Sequence, residues 1–304
     1  EPVALGAACR AMSFSTSDRF SALDPKDRDR LEALAKLDEF KAGQEILTSG
    51  KPVEWLYLIA SGVVEVRAGP TLLASLQAGD LFGELESFAE LPDGIRHVAR
   101  EDTIVRVVPK SPLMQELKSH RSLATGLLSV YCRSISEKVR ATNEVLARLG
   151  PQNFSRPPPP RSSAGPADRP PHLSIEDAAW LQLLGAQVEA AGGTTVVAEG
   201  DTTRSFFVIE EGTCEVRKQF AGGDKTLATL GARDLFGFMA FVDGKPRSAS
   251  VVAVGTAKLS RVDPDALDKA LRLNFTVGFK FLGTLCGVLG RTFSDTARAV
   301  IANS

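Results

Sequence analysis

Short runs of alternating apolar and polar residues, closed off by glycines, fill most of this 304-residue chain. Val63, Glu65 and Val66 in one region, and Val251 and Ala253 in another, fit half-buried strands. Many such short strands with regular turns predict a small all-β barrel or roll. The pattern occurs twice. Residues 55–62 (WLYLIASG) match 205–212 (SFFVIEEG), and residues 73–76 (LASL) match 227–230 (LATL). The run DLFG stands at 80–83 and again at 234–237. Each copy opens with a short helical segment, at 25–37 and 174–188, and the second has a longer hairpin around Gly222 and Gly223.

After each set of strands the period changes from two to between three and four. Leu128, Tyr131, Ile135, Val139, Thr142, Leu146 and Leu149 form one apolar seam. Phe275, Phe279, Leu282, Cys286, Leu289 and Phe293 form another, with Cys132 and Cys286 at equivalent positions. The expected fold is therefore mainly β with flanking helices: two β-rolls, each followed by a long helix. The seams read as pairing surfaces, giving a homodimer or an intramolecular pseudo-dimer; the alternative is that each seam covers its own roll.

Between the copies lies PQNFSRPPPPRSSAGPADRPPH, where 8 of 22 residues are proline. It lacks donors and apolar anchors, so it reads as an extended spacer. Its RPPPPR core could also dock on an aromatic groove of a partner. The division is an N-terminal tail at 1–19, a first domain at 20–150, the linker at 151–172 and a second domain at 173–304.

Composition narrows the classes further. An apolar share of 43%, a charged share of 24% and a net charge of −1 describe a globular chain with no polyelectrolyte character. Cys9, Cys132, Cys214 and Cys286 are scattered, as are the three histidines, so no metal is expected and a reducing, cytoplasmic setting is. The most apolar stretch, residues 281–290, is too short to span a bilayer, and Gly283 and Gly287 in it read as helix packing. The sequence starts at Glu1 without a methionine, so whether it is a piece of a longer protein stays open.

Phe40, Gly43, Gly50, the LYLIASG run and Gly79-Asp-Leu-Phe-Gly-Glu84 together resemble a cyclic nucleotide-binding domain, the double-stranded jelly-roll-like module of bacterial catabolite activator proteins and kinase A regulatory subunits. The resemblance covers both copies. It implies a cassette in which F-G-E is followed, about nine or ten residues on, by an arginine and small residues. There a short helix aims backbone N–H groups at the cyclic phosphate, the arginine neutralises it, and the glutamate accepts from the ribose 2′-hydroxyl. The implied ligand is cAMP or cGMP, with no other cofactor; a cyclic dinucleotide bound outside the cassettes stays open as a third possibility.

Carried over residue by residue, each cassette departs from that pattern. In the first, Gly83, Glu84 and Leu85 match, but Asp93 or Gly94 stands where the arginine belongs. Arg96 comes two or three positions late, and Glu86 replaces a small residue and would repel phosphate. In the second, Arg247, Ser248, Ala249 and Ala240 match, while Gly237 is followed by Phe238 and Met239 where the glutamate should begin. Phe238 cannot accept a hydrogen bond. Either Phe238 and Met239 fill the pocket or the site takes an anion without a 2′-hydroxyl there. Ser136 in Ser-Glu-Lys-Val resembles the helix serine that touches the base across the dimer in catabolite activator proteins, which implies a base contact on the neighbouring subunit.

No grouping of residues reads as catalytic, so an enzyme is not expected. A DNA-reading helix-turn-helix after the second helix would need more chain than the sequence given contains, so nucleic acid is not expected as a partner. Two functions remain open at this level. One is a regulatory protein that senses a cyclic nucleotide or related phosphate and signals to protein partners through helix pairing. The other is a ligand-independent scaffold built from two such domains.

Overall fold

The computed structural model describes residues 12–50, 53, 55–149, 172–220 and 223–304. Cys9 and the proline-rich segment through residue 171 lie outside the described residues, and with them the spacer and docking readings of the linker.

The chain divides into two compact units. The first begins with a strap, residues 12–23, and helix α1 (Pro25–Leu34). Asp24 starts the helix because its carboxylate accepts from the Lys26 amide and Pro25 has no N–H to leave orphaned. Eight strands follow: β1 (Lys36–Phe40), β2 (Glu45–Thr48), β3 (Trp55–Ser61), β4 (Val64–Ala68), β5 (Thr71–Leu76), β6 (Leu81–Phe82), β7 (Ile95–Ala99) and β8 (Thr103–Pro109). They form two antiparallel sheets, β1-β8-β3-β6 and β2-β7-β4-β5. Inward residues of β4 and β7 are buried in strict alternation, as the sequence pattern requires. Helices α2 (Lys110–Ser119) and α3 (Arg121–Arg148) complete this stretch.

The second unit repeats the plan. Helix α4 (Ile175–Leu184) starts at Ser174, whose hydroxyl accepts from the Asp177 amide. Strands β9 (Ala186–Ala190), β10 (Thr195–Val197), β11 (Phe206–Glu211), β12 (Cys214–Phe220), β13 (Gly223–Leu230), β14 (Leu235–Phe236), β15 (Ser250–Ala253) and β16 (Ala257–Val262) pair as β14-β11-β16-β9 and β10-β15-β12-β13. Helix α5 (Phe238–Asp243) lies between β14 and β15, and α6 (Pro264–Leu273) and α7 (Phe275–Asn303) end the chain.

The repetition extends to detail. Tyr57 pairs with and stacks on Phe82, at 4.6 Å between ring centroids; Phe207 does the same with Phe236, at 4.9 Å. A register shift falls between Val66 and Arg67 in β4 and between Val216 and Arg217 in β12. Gly62 and Gly212 both take φ near +90°, and a Cβ there would lie 2.5 Å from Thr103 or 2.6 Å from the Thr256 carbonyl. One position breaks the symmetry: Gly79 has φ +93°, but its counterpart Arg233 takes φ +66° with a full side chain.

Both helical seams are largely buried, Ile135, Val139 and Thr142 fully so, whereas Phe279 near the start of α7 stays exposed. The last turns of α7, Leu289–Ala302, belong to the first unit. There Leu289, Phe293, Ala297 and Val300 are buried, Ser294 donates to the Glu90 carbonyl at 2.7 Å, and Thr296 meets Asn143 at 3.2 Å. Gly290 permits this approach: a Cβ would sit 3.0 Å from that of Ala89.

Candidate ligand-binding site

In the first cassette β6 delivers the chain to Gly83, whose φ of +90° turns it into a 3-10 turn at Leu85–Ser87. Glu84 precedes that turn and is 1% exposed. Its Oε1 accepts from the Ser134 hydroxyl at 2.8 Å and from the Lys138 ammonium, both on α3. Lys138 also donates to the Leu81 carbonyl and the Ser134 hydroxyl, each at 2.8 Å, so its three donors are all used. Glu84 Oε2 has no partner. The expected ribose acceptor is thus held by an intramolecular cation.

Beside it lies a second buried group of polar atoms. Both carboxylate oxygens of Glu86 and both ring nitrogens of His97 lack a hydrogen-bond partner, and Glu86 Oε1 is 4.0 Å from His97 Nδ1. His97 points inward from β7 and stacks on Phe82 at 5.2 Å. Burial pushes the Glu86 carboxyl up to about 7, and the same burial, with the charge of Lys138, lowers His97 to about 3. Burial drives both groups towards their neutral forms, so their approach is not a salt bridge at neutral pH.

The structure does not bring Arg96 to this site. Ile95 and His97 face inward, so alternation turns Arg96 out, where it donates to the Gly69 carbonyl at 3.2 Å and lies 3.9 Å from Glu45. Ser136 is fully buried, yet Ser134 and Lys138, one helical turn apart, are the α3 residues on Glu84. Leu85 is buried beneath the turn. Lys138 also lines a cavity of about 180 Å³, together with Arg19, Ser75, Asp80, Ser134 and Glu137. Arg19, from the strap, bridges the carboxylates of Asp80 and Glu137.

The second cassette keeps the complementary half. Gly237, at φ +80°, leads into α5, with Phe238 and Ala240 buried. Arg247 is 4% exposed and donates to the Gly237 carbonyl at 2.6 Å, the Ser205 carbonyl and the Thr203 hydroxyl at 3.1 Å. A Cβ on Gly237 would lie 2.8 Å from the guanidinium, which explains the glycine. All three partners are uncharged, and the Nε is unpartnered. Burial lowers the guanidinium's proton affinity, opposed by the charge of Asp201. Ser248 meets the Met239 sulfur at 3.8 Å, and Ala249 continues into β15.

Sequence reasoning missed Lys138, Ser134, Thr203 and Ser205. A lysine on a helix ordinarily lies in solvent, and two of the Arg247 partners are backbone carbonyls that carry no residue signature.

Two rolls with this cassette between their sixth and seventh strands define a class. A family model for the cyclic nucleotide-binding domain matches residues 37–120 and 187–274, and the chain belongs to that family. Among relatives, the cAMP-dependent protein kinase regulatory subunit of Yarrowia lipolytica is 26% identical over 244 residues, which is 78% of this chain and 55% of that one. The regulatory subunit of the same name from Mycosarcoma maydis is 33% identical over 120 residues, covering 38% of this chain and 22% of that one. The chain therefore spans about half, or less, of the length of these relatives. The regulatory domain of Toxoplasma gondii PKA, solved with cAMP, aligns with 87% of this chain and 90% of its own at 17% identity and a TM-score of 0.31. Among the described residues no helix is long and apolar enough to cross a membrane.

Proposed function

We propose that the chain is the sensing part of a non-enzymatic regulator of the kinase-regulatory-subunit kind, with two cassettes of different ligand chemistry. The observation that carries this reading is Arg247. A buried guanidinium whose partners are two carbonyls and a hydroxyl has no counter-charge in contact, and an incoming phosphate supplies one. The second cassette is accordingly the site for the phosphate of a cyclic nucleotide. Phe238 removes the acceptor for the sugar there, so affinity rests on the phosphate half.

The first cassette lacks the phosphate's cation: Arg96 turns outward, and the ammonium of Lys138 is already paired with Glu84. Glu84 keeps the hydroxyl-accepting chemistry, which suits an uncharged, ribose-bearing ligand. Helix α3, tied directly to Glu84, carries occupancy outward to protein partners.

Calorimetry with cAMP and cGMP on the full chain tests the reading. Binding is expected in the natural sequence and at least a tenfold loss in Arg247→Ala. Unchanged affinity in that variant would mean that the phosphate lies elsewhere.

A further inference from the structure

Lys138 does at Glu84 what a ligand would do. Its ammonium is 2% exposed, presents hydrogens to Glu84 Oε1, and fills the rest of its donor capacity with the Leu81 carbonyl and Ser134. A ribose hydroxyl arriving at the same oxygen must compete with a full positive charge already there. We propose that Lys138 is a tethered stand-in for the ligand, so that the first cassette fills only by expelling it and thereby frees α3 from the roll. This rests on the reading of Glu84 as the sugar acceptor given above.

Two further observations support a handover rather than a fixed strut. Lys138 also lines a cavity of about 180 Å³ whose wall carries the carboxylates of Asp80 and Glu137, both bridged by Arg19, together with Ala74, Leu76 and Ala141. An ammonium that leaves Glu84 for that space shares those carboxylates with Arg19, which gives the side chain a second acidic setting, as a two-state element requires. Meanwhile Glu84 Oε2, buried and unpartnered, is ready for a second donor, such as the neighbouring hydroxyl of a sugar diol.

The test uses the full chain, Lys138→Met and Glu84→Gln. Hydrogen exchange of α3 is measured without ligand and with adenosine, an uncharged ribose-bearing probe, whose affinity is measured by calorimetry. Lys138→Met is expected to raise α3 exchange at least tenfold while β3 and β8 keep their protection. Adenosine is expected to bind that variant at least tenfold more tightly than the natural sequence, and to raise α3 exchange when added to the natural sequence. Should Lys138→Met fail to fold, Glu84→Gln must free the same α3 amides, since it keeps the lysine and removes its anionic partner. Unchanged α3 exchange in the variants, or equal adenosine affinity with and without the lysine, overturns the proposal. Adenosine binding neither form overturns the sugar-acceptor reading instead, while α3 exchange in Lys138→Met judges the tether by itself.

Discussion

The two cassettes start from one backbone plan and satisfy their charged residue in opposite ways. In the first, the anion Glu84 has a cation of its own, Lys138, supplied by a helix. In the second, the cation Arg247 is hydrogen-bonded only to dipoles, the Gly237 and Ser205 carbonyls and Thr203, and the charge of Asp201 acts on it without a direct bond. A buried ion pair is already compensated, and a ligand must break it; a buried cation held by dipoles is undercompensated, and an anion adds to it. The same fold can thus hold one site that resists occupation and one that invites it.

The sharpest way to break this comparison is to remove one member of the pair. Glu84→Ala leaves the Lys138 ammonium buried without its carboxylate and should cost about 3–5 kcal/mol, read by urea denaturation with a probe in the first unit. The double variant Glu84→Gln/Lys138→Met should recover most of that loss. A cost below about 1 kcal/mol for Glu84→Ala would show that the pair is not compensated as described.

Next in size is restoration of the missing half. Phe238→Glu returns a carboxylate acceptor to the position after Gly237 that Glu84 holds after Gly83, and cAMP affinity should rise by about ten- to a hundredfold, the worth of one charge-assisted hydrogen bond. No gain by calorimetry would mean that the sugar does not lie against this position.

The neutral pair in the first cassette supplies a contrast in pH. Glu86 has its folded value raised to about 7 from 4.5, so its stabilising contribution is present in acid and is lost as pH rises through 7. His97 has its folded value lowered to about 3 from 6.5, so its contribution is present above 6.5 and is lost as pH falls through 3. Between pH 4.5 and 6.5 the two trends oppose. His97→Phe should expose the first, with stability falling as pH rises, and Glu86→Gln the second, with stability falling as pH drops. Each slope should approach about 1.4 kcal/mol per pH unit. Two variants with slopes of the same sign would contradict the burial argument.

The smallest effect is at the broken symmetry of the loop. Arg233→Gly gives the left-handed position the residue its sister copy has, and should raise the midpoint stability of the second unit by up to about 1 kcal/mol.

Much of the architecture was legible because rolls of this kind punctuate themselves. Glycines at 62 and 212, the two DLFG runs and the alternation through β4 and β7 are imposed by backbone sterics and burial, which act locally. The contacts of the site are not local. Arg96, already two or three positions late along the chain, also lies one residue out of phase with the inward face of β7. Ser136 was chosen by resemblance as a base contact on a neighbouring subunit, and that pattern gives no sign of Ser134 and Lys138, which the helix presents to Glu84, 50 and 54 residues away in sequence. Nothing in the lysine's neighbours along the chain says that its charge is buried, because the acceptors come from β6 and the cassette turn.

The place of the last turns of α7 has a consequence for how the protein is made. The first unit contains residues up to Val145 and then Leu289–Ala302, so a stretch of about 140 residues is synthesised before its last buried side chains exist. At roughly 5–20 residues per second that is a wait on the order of ten to thirty seconds. During it, the surface that Phe293, Ala297 and Val300 will cover is open on the nascent chain, so a holdase in a cell-free translation should stay bound to the first unit until residues 289–302 have been made.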